Sequence, residues 1–178
     1  LLACLLAGSS ANVKSDLVFF PSFPYLSLTE SILSGSHIRF GGQNLNPHAQ
    51  GAHTGETSGS MLKDLGCHYA LVGHSERRSI YGESDEDVAL RFKAALDARL
   101  HPVLCVGESL EEREQGQTAS VVERQLDAVI DRVGIEAFRR AVIAYEPVGG
   151  IGTGWTATPE AARAVTAFTP CIVHNIHT

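Results

Sequence analysis

The sequence predicts an α/β chain built on a parallel sheet, and three observations carry that reading. Five short apolar runs occur at residues 17–20, 38–45, Tyr69–Val72, 103–106 and Val142–Tyr145. They are largely continuous and β-branched, as strands buried on both faces should be. Longer stretches of helical period lie between them, and this alternation implies right-handed crossovers. The distinctive polar residues follow the runs directly: Gln43-Asn44, Gly73-His74-Ser75-Glu76, Gly107-Glu108 and Glu146-Pro147. A doubly wound sheet and a β/α barrel both place their chemistry at that edge, and periodicity does not choose between them.

The helices follow in order. At 84–99, Val88, Phe92, Ala95 and Leu96 share one stripe, behind a Ser84 cap and an acidic first turn. Thr118–Val133 sets Val122, Leu126, Val129, Ile130 and Val133 on one side. Thr158-Pro159-Glu160 is a cap, a proline at the first helical position and an acid behind it, opening a helix toward Phe168. Residues 1–8 read as the end of an amphipathic helix stopped by Gly8, in preference to a signal peptide.

Composition narrows the function. The 178 residues suit one domain, 44% hydrophobic and 19% charged, with a net charge of -6. No basic footprint points to nucleic acid, and no stretch is long enough to span a bilayer. Cys4, Cys67, Cys105 and Cys171 form no C-x-x-C pair, which favours free thiols in a reducing cytoplasm over a zinc site or disulfides. Glu111-Glu112-Arg113-Glu114 mixes signs and reads as a solvated helix face.

Three segments carry chemistry. Glu146 leaves a buried strand and is stiffened by Pro147, so partial burial would make it a usable base. Gly149-Gly150-Ile151-Gly152-Thr153-Gly154 can bring backbone N–H groups to a phosphate or move as a lid, and it is not a Walker loop. His74 follows a strand at the start of a short helix. That end of a helix disfavours imidazolium, and a neutral ring can polarise a carbonyl. Glu76 would anchor the site or act as a second acid, and the sequence leaves both open.

Together these segments resemble the triosephosphate isomerase family. Ala70-Leu71-Val72-Gly73-His74-Ser75-Glu76-Arg77-Arg78 resembles its electrophile motif. Ala144-Tyr145-Glu146-Pro147-Val148, then Ile151-Gly152-Thr153-Gly154 and Thr156-Ala157-Thr158-Pro159, resembles its base and phosphate lid. Cys105-Val106-Gly107-Glu108 with Leu110-Glu111-Glu112-Arg113 is similar to its fifth strand and the turn after it, and Gly51-Ala52-His53-Thr54-Gly55-Glu56 to its interface loop. The resemblance covers residues 16–167. It implies an α/β fold of the (β/α)8 TIM barrel type, incomplete, with about strands 2 to 6 present in one partial domain over residues 1–178.

The resemblance also implies interconversion of dihydroxyacetone phosphate and glyceraldehyde 3-phosphate, without metal or organic cofactor. The catalytic residues would be Glu146, His74 and Glu76, with Gly152 binding the substrate phosphate and Ser75 and Cys105 supporting. A homodimer would use Thr54, Glu56 and Arg77. The family's Asn-x-Lys motif would precede Leu1, and strands seven and eight find no counterpart, so residues 1–178 alone are expected to be inactive. A non-catalytic remnant keeping the interaction surface is the alternative. A barrel enzyme for another phosphorylated sugar is a third reading.

Two departures stand out. The lid has Val148-Gly149-Gly150 where the family has Val-Trp-Ala, and Gly154-Trp155-Thr156 where it has Gly-Lys-Thr. Residues 168–178 form an atypical tail, in which Pro170 would stop a helix and His174 with His177 would make only a weak metal pair.

Overall fold

The computed structural model describes residues 16–145 and the backbone of 172–173. The expected elements at 1–8 and 158–168 lie outside the described residues, as do Glu146, the lid glycines, Trp155 and His174 with His177. The chain divides into two compact units, Leu1–Leu71 with Lys93–Pro102, and Val72–Phe92 with Val103–Thr178.

In the first unit, β1 (Val18–Phe19) leads through α1 (Leu26–Leu33) to β2 (Arg39–Gly42), and α2 (Gly59–Asp64) leads to β3 (Tyr69–Val72), whose last residue enters the second unit. The pairings are parallel, with Val18 opposite Arg39, Phe19 opposite Phe40, Gly41 opposite Tyr69 and Gly42 opposite Ala70. β2 stops short of the expected residue 45. Past Gly42 the side chain takes over from the ladder, and Gln43 Nε2 donates to the Phe20 carbonyl at 3.1 Å. A side chain on Gly41 would collide with the Tyr69 carbonyl and Phe20, so the close strand approach requires glycine.

Helix α1 was not legible as a stripe because its buried positions are Leu26, Thr29 and Leu33, with a threonine in the middle. Helix α2 is only six residues long; the Ser58 hydroxyl at its N-cap accepts from Met61 N–H, and Leu62 is fully buried. Burial of a leucine of this kind contributes about 1.5–3 kcal/mol. Cys67 is buried as a free thiol, and burial pushes it up to about 11.

In the second unit, β4 (His101–Val106, in this unit from Val103) pairs in parallel with β5 (Val142–Tyr145) from Val103 opposite Val142 to Val106 opposite Tyr145. The short helix α3 (Ser75–Ser79) follows β3, and α4 (Asp85–Asp97) begins here. Two more helices, α5 (Leu110–Glu114) and α6 (Thr118–Val133), separate β4 from β5. The Ser109 and Glu112 side chains close a capping box on α5, so the mixed charges there are helical as expected.

Helix α6 has the expected bounds but buries Val121, Val122, Gln125 and Val129, a stripe turned from the expected one. The turn has a polar cause: Gln125 accepts from Gly107 N–H at 2.9 Å and donates to Gly107 C=O at 3.0 Å. The tail contributes a short parallel strand, β6 (Ile172–Val173), beside β5, which the apolar runs did not mark. Among the described residues no helix is long and apolar enough to cross a membrane.

Candidate active site

The site residues that the structure describes in the second unit gather where β3 and β4 end. Gly73 leaves β3 with φ +72, a left-handed conformation suited to glycine. A Cβ there would meet the Val88 methyls and Arg78 within 2.8–3.0 Å. This turn delivers His74 to the N-cap of α3, where the ring is buried at 7% exposure. Its Nδ1 accepts from Glu76 N–H at 3.3 Å. A ring that accepts at Nδ1 carries its proton on Nε2, which is the form able to donate to a carbonyl oxygen. The His74 carbonyl in turn accepts from Arg77 and Arg78 N–H, at 2.9 and 3.2 Å.

The other expected residues divide. Ser75 is buried, and its carbonyl accepts from the Ser79 hydroxyl at 2.9 Å. Cys105 is buried on β4, and both residues line a cavity of about 10 Å³ with Gly73, Arg78, Val106 and Gly107. That volume is at the lower limit for one water molecule. Glu76 is half exposed, with Oε2 3.8 Å from His74 Nδ1, beyond hydrogen-bond reach. Arg77 binds Glu83 at 2.6 Å and lies 5.0 Å over the Tyr81 ring.

Thr54 and Glu56 belong to the first unit, in an exposed loop whose neck is tied by Asn46 N–H to Thr57 C=O at 2.8 Å and by His48 N–H to Asn46 Oδ1 at 2.8 Å. Glu146 and Gly152 lie outside the described residues.

Sequence reading missed the role of Glu108. Its carboxylate is fully buried after β4, and three groups donate to Oε1: Arg113 Nε at 2.8 Å, Tyr145 Oη at 3.0 Å and Thr118 Oγ1 at 3.1 Å. Tyr145 also approaches Oε2 at 2.9 Å. Burial first, then the Glu108 charge, pushes the Tyr145 phenol up to about 12. The signal was present as a carboxylate leaving a buried strand with an arginine five residues on. Sequence spacing did not show that Tyr145, the residue before Glu146, closes the cluster.

Comparison with known proteins shows the family. The family model described as triosephosphate isomerase matches residues 2–177, which includes most of the atypical tail. The chain is 50% identical over 168 residues to the triosephosphate isomerase of Nitrosomonas eutropha, covering 94% of this chain and 67% of that one. It is 60% identical over 146 residues to that of Thiobacillus denitrificans, covering 82% and 59%. To that of Hydrogenovibrio crunogenus it is 58% identical over 164 residues, covering 88% and 65%. The chain therefore spans roughly three fifths to two thirds of the length of these relatives. With its His74 motif on a strand-to-helix turn and its parallel strands joined by helices, the chain belongs to the triosephosphate isomerase family.

Proposed function

We propose that the protein carrying this chain interconverts dihydroxyacetone phosphate and glyceraldehyde 3-phosphate through an enediolate. The observation that carries the reading is the buried N-cap histidine, with Nδ1 accepting, in a chain 50–60% identical to named isomerases. Glu146 removes the proton on the carbon beside the carbonyl, and His74 Nε2–H stabilises the oxygen on which charge develops. This family is the standard illustration of a glutamate base with a neutral histidine, so the division of roles comes from family membership. Glu76 fixes the ring through its backbone N–H, and Gly152 N–H holds the phosphate. No metal or organic cofactor enters these steps. The remnant reading has no comparable support.

The test is an isomerase assay on the full-length protein and its His74→Gln variant. Loss of one preorganised donor is expected to cut kcat by about 100- to 1,000-fold. A parent-like rate in the variant would remove His74 from the mechanism.

The same reading makes the protein a cytoplasmic homodimer. The loop at 49–56 is exposed and polar, its neck is tied and its turn is braced by His53 N–H to Gly51 C=O and Glu56 N–H to His53 C=O, which suits insertion into a second copy by Thr54, with Glu56 and Arg77 at the contact. Deleting residues 49–57 from the full-length protein is expected to yield monomers by sedimentation velocity, and an unchanged dimer would refute the assignment.

A further inference from the structure

We propose that Arg78 is the positioning residue that holds the electrophile His74 in place, a role resting on the reading above. Three contacts of one guanidinium carry the argument. Arg78 Nε donates to the Gly73 carbonyl at 2.8 Å, Nη1 to Asp85 Oδ1 at 2.6 Å and Nη2 to the Cys105 carbonyl at 3.4 Å. The first fixes the peptide that precedes His74. The second anchors the arginine to the start of α4, where Arg124 of α6 binds the other carboxylate oxygen of Asp85 at 3.0 Å. The third ties the turn to β4.

The small cavity of about 10 Å³ lined by Gly73, Ser75 and the end of β4 lies beside this turn. Gly73 offers no side chain, and glycine has the widest choice of backbone conformations. A rotation of the Gly73–His74 peptide would swing the imidazole, and the helix-cap bonds act on the C-terminal side of that residue. The guanidinium acts on the peptide at its N-terminal side. Its planar fork serves two carbonyls and a carboxylate at once, which a lysine cannot reproduce. The Arg78 side chain is 16% exposed and that of Asp85 23%, so water competes weakly for the contact.

The experiment uses the full-length protein with Arg78→Met, Arg78→Lys, Arg78→Ala and Asp85→Asn. Misplacement of a catalytic group by about 1 Å costs on the order of 100-fold. Arg78→Met is expected to lower kcat by about that factor with KM unchanged, and to shift or broaden the ¹⁵N signals of the His74 ring. Arg78→Lys should recover only part of the rate, and Asp85→Asn, which keeps the guanidinium, should show the same spectral change more weakly. Added guanidinium ion at a non-denaturing concentration should raise kcat of Arg78→Ala.

Parent-like kcat and unshifted His74 signals in Arg78→Met would overturn the proposal. So would a rate loss that follows a lowered melting temperature while the His74 signals stay in place. An inactive parent would instead defeat the isomerase reading, and a fully active His74→Gln variant would remove His74 from the mechanism. The ring signals would still decide whether Arg78 positions His74.

Discussion

Glu146→Gln in the full-length protein is expected to lower kcat by about 100- to 10,000-fold, the ordinary worth of a positioned general base. Glu146 follows Tyr145, the last residue of β5, and Tyr145 is fixed by its hydroxyl on the fully buried Glu108. The residue before the proposed base is thus tied down by a buried bond. The amide of glutamine is close in shape to the carboxylate but cannot accept a proton from carbon, so folding and substrate binding should persist. Two measurements check this: turnover in a coupled isomerase assay, and exchange of the substrate carbon-bound proton with deuterated solvent. Both should collapse together. Near-parent turnover, or exchange that continues at the parent rate, would assign the base elsewhere.

The second large effect concerns stability. Arg113→Met is expected to destabilise the protein by about 3–5 kcal/mol, because it strands a buried carboxylate. The lower end is expected, since the Arg113 side chain is one third exposed and water can partly replace it. Thr118 and Tyr145 would be the donors left from the observed cluster. Urea unfolding of parent and variant provides the comparison, and a shift below about 1 kcal/mol, the scale of a surface pair, would contradict it.

The same cluster predicts a pH dependence. The folded-state value of the Tyr145 phenol is about 12, against an ordinary 10.0. A raised value means that the folded state retains its proton longer than the unfolded chain. The contribution is therefore complete below pH about 10 and disappears as pH rises through about 12. Melting temperatures of the parent should fall more steeply across that window than those of Tyr145→Phe. Equal slopes would place the phenol outside the cluster.

Much of the frame was legible in the sequence because it depends on local pattern. The β3 and β5 runs, the 16 residues of α6 and the turn carrying His74 all follow from short apolar segments, helical period and glycine placement. The order of strands and helices in each unit follows from the same alternation, and family membership supplies the barrel. The chain by itself also nominated the residues proposed for the chemistry, because the His74 and Glu146 motifs combine residue types that few backgrounds share. Helix α1 escaped because Thr29 occupies a core position, and β6 because two residues in a tail make no pattern.

Only the tertiary structure decided which polar residues are buried and what they hold. Gln125 interrupts an apolar stripe in sequence, yet its amide is satisfied by both backbone groups of Gly107 across 18 residues. Glu108 looks like one more loop carboxylate until Tyr145 arrives from 37 residues away. Arg78 sits in a run of charges until its fork meets carbonyls at positions 73 and 105. Burial of a charge or an amide is tolerable only when distant partners converge on it. That convergence is a property of the folded backbone, whereas periodicity is a property of neighbours along the chain.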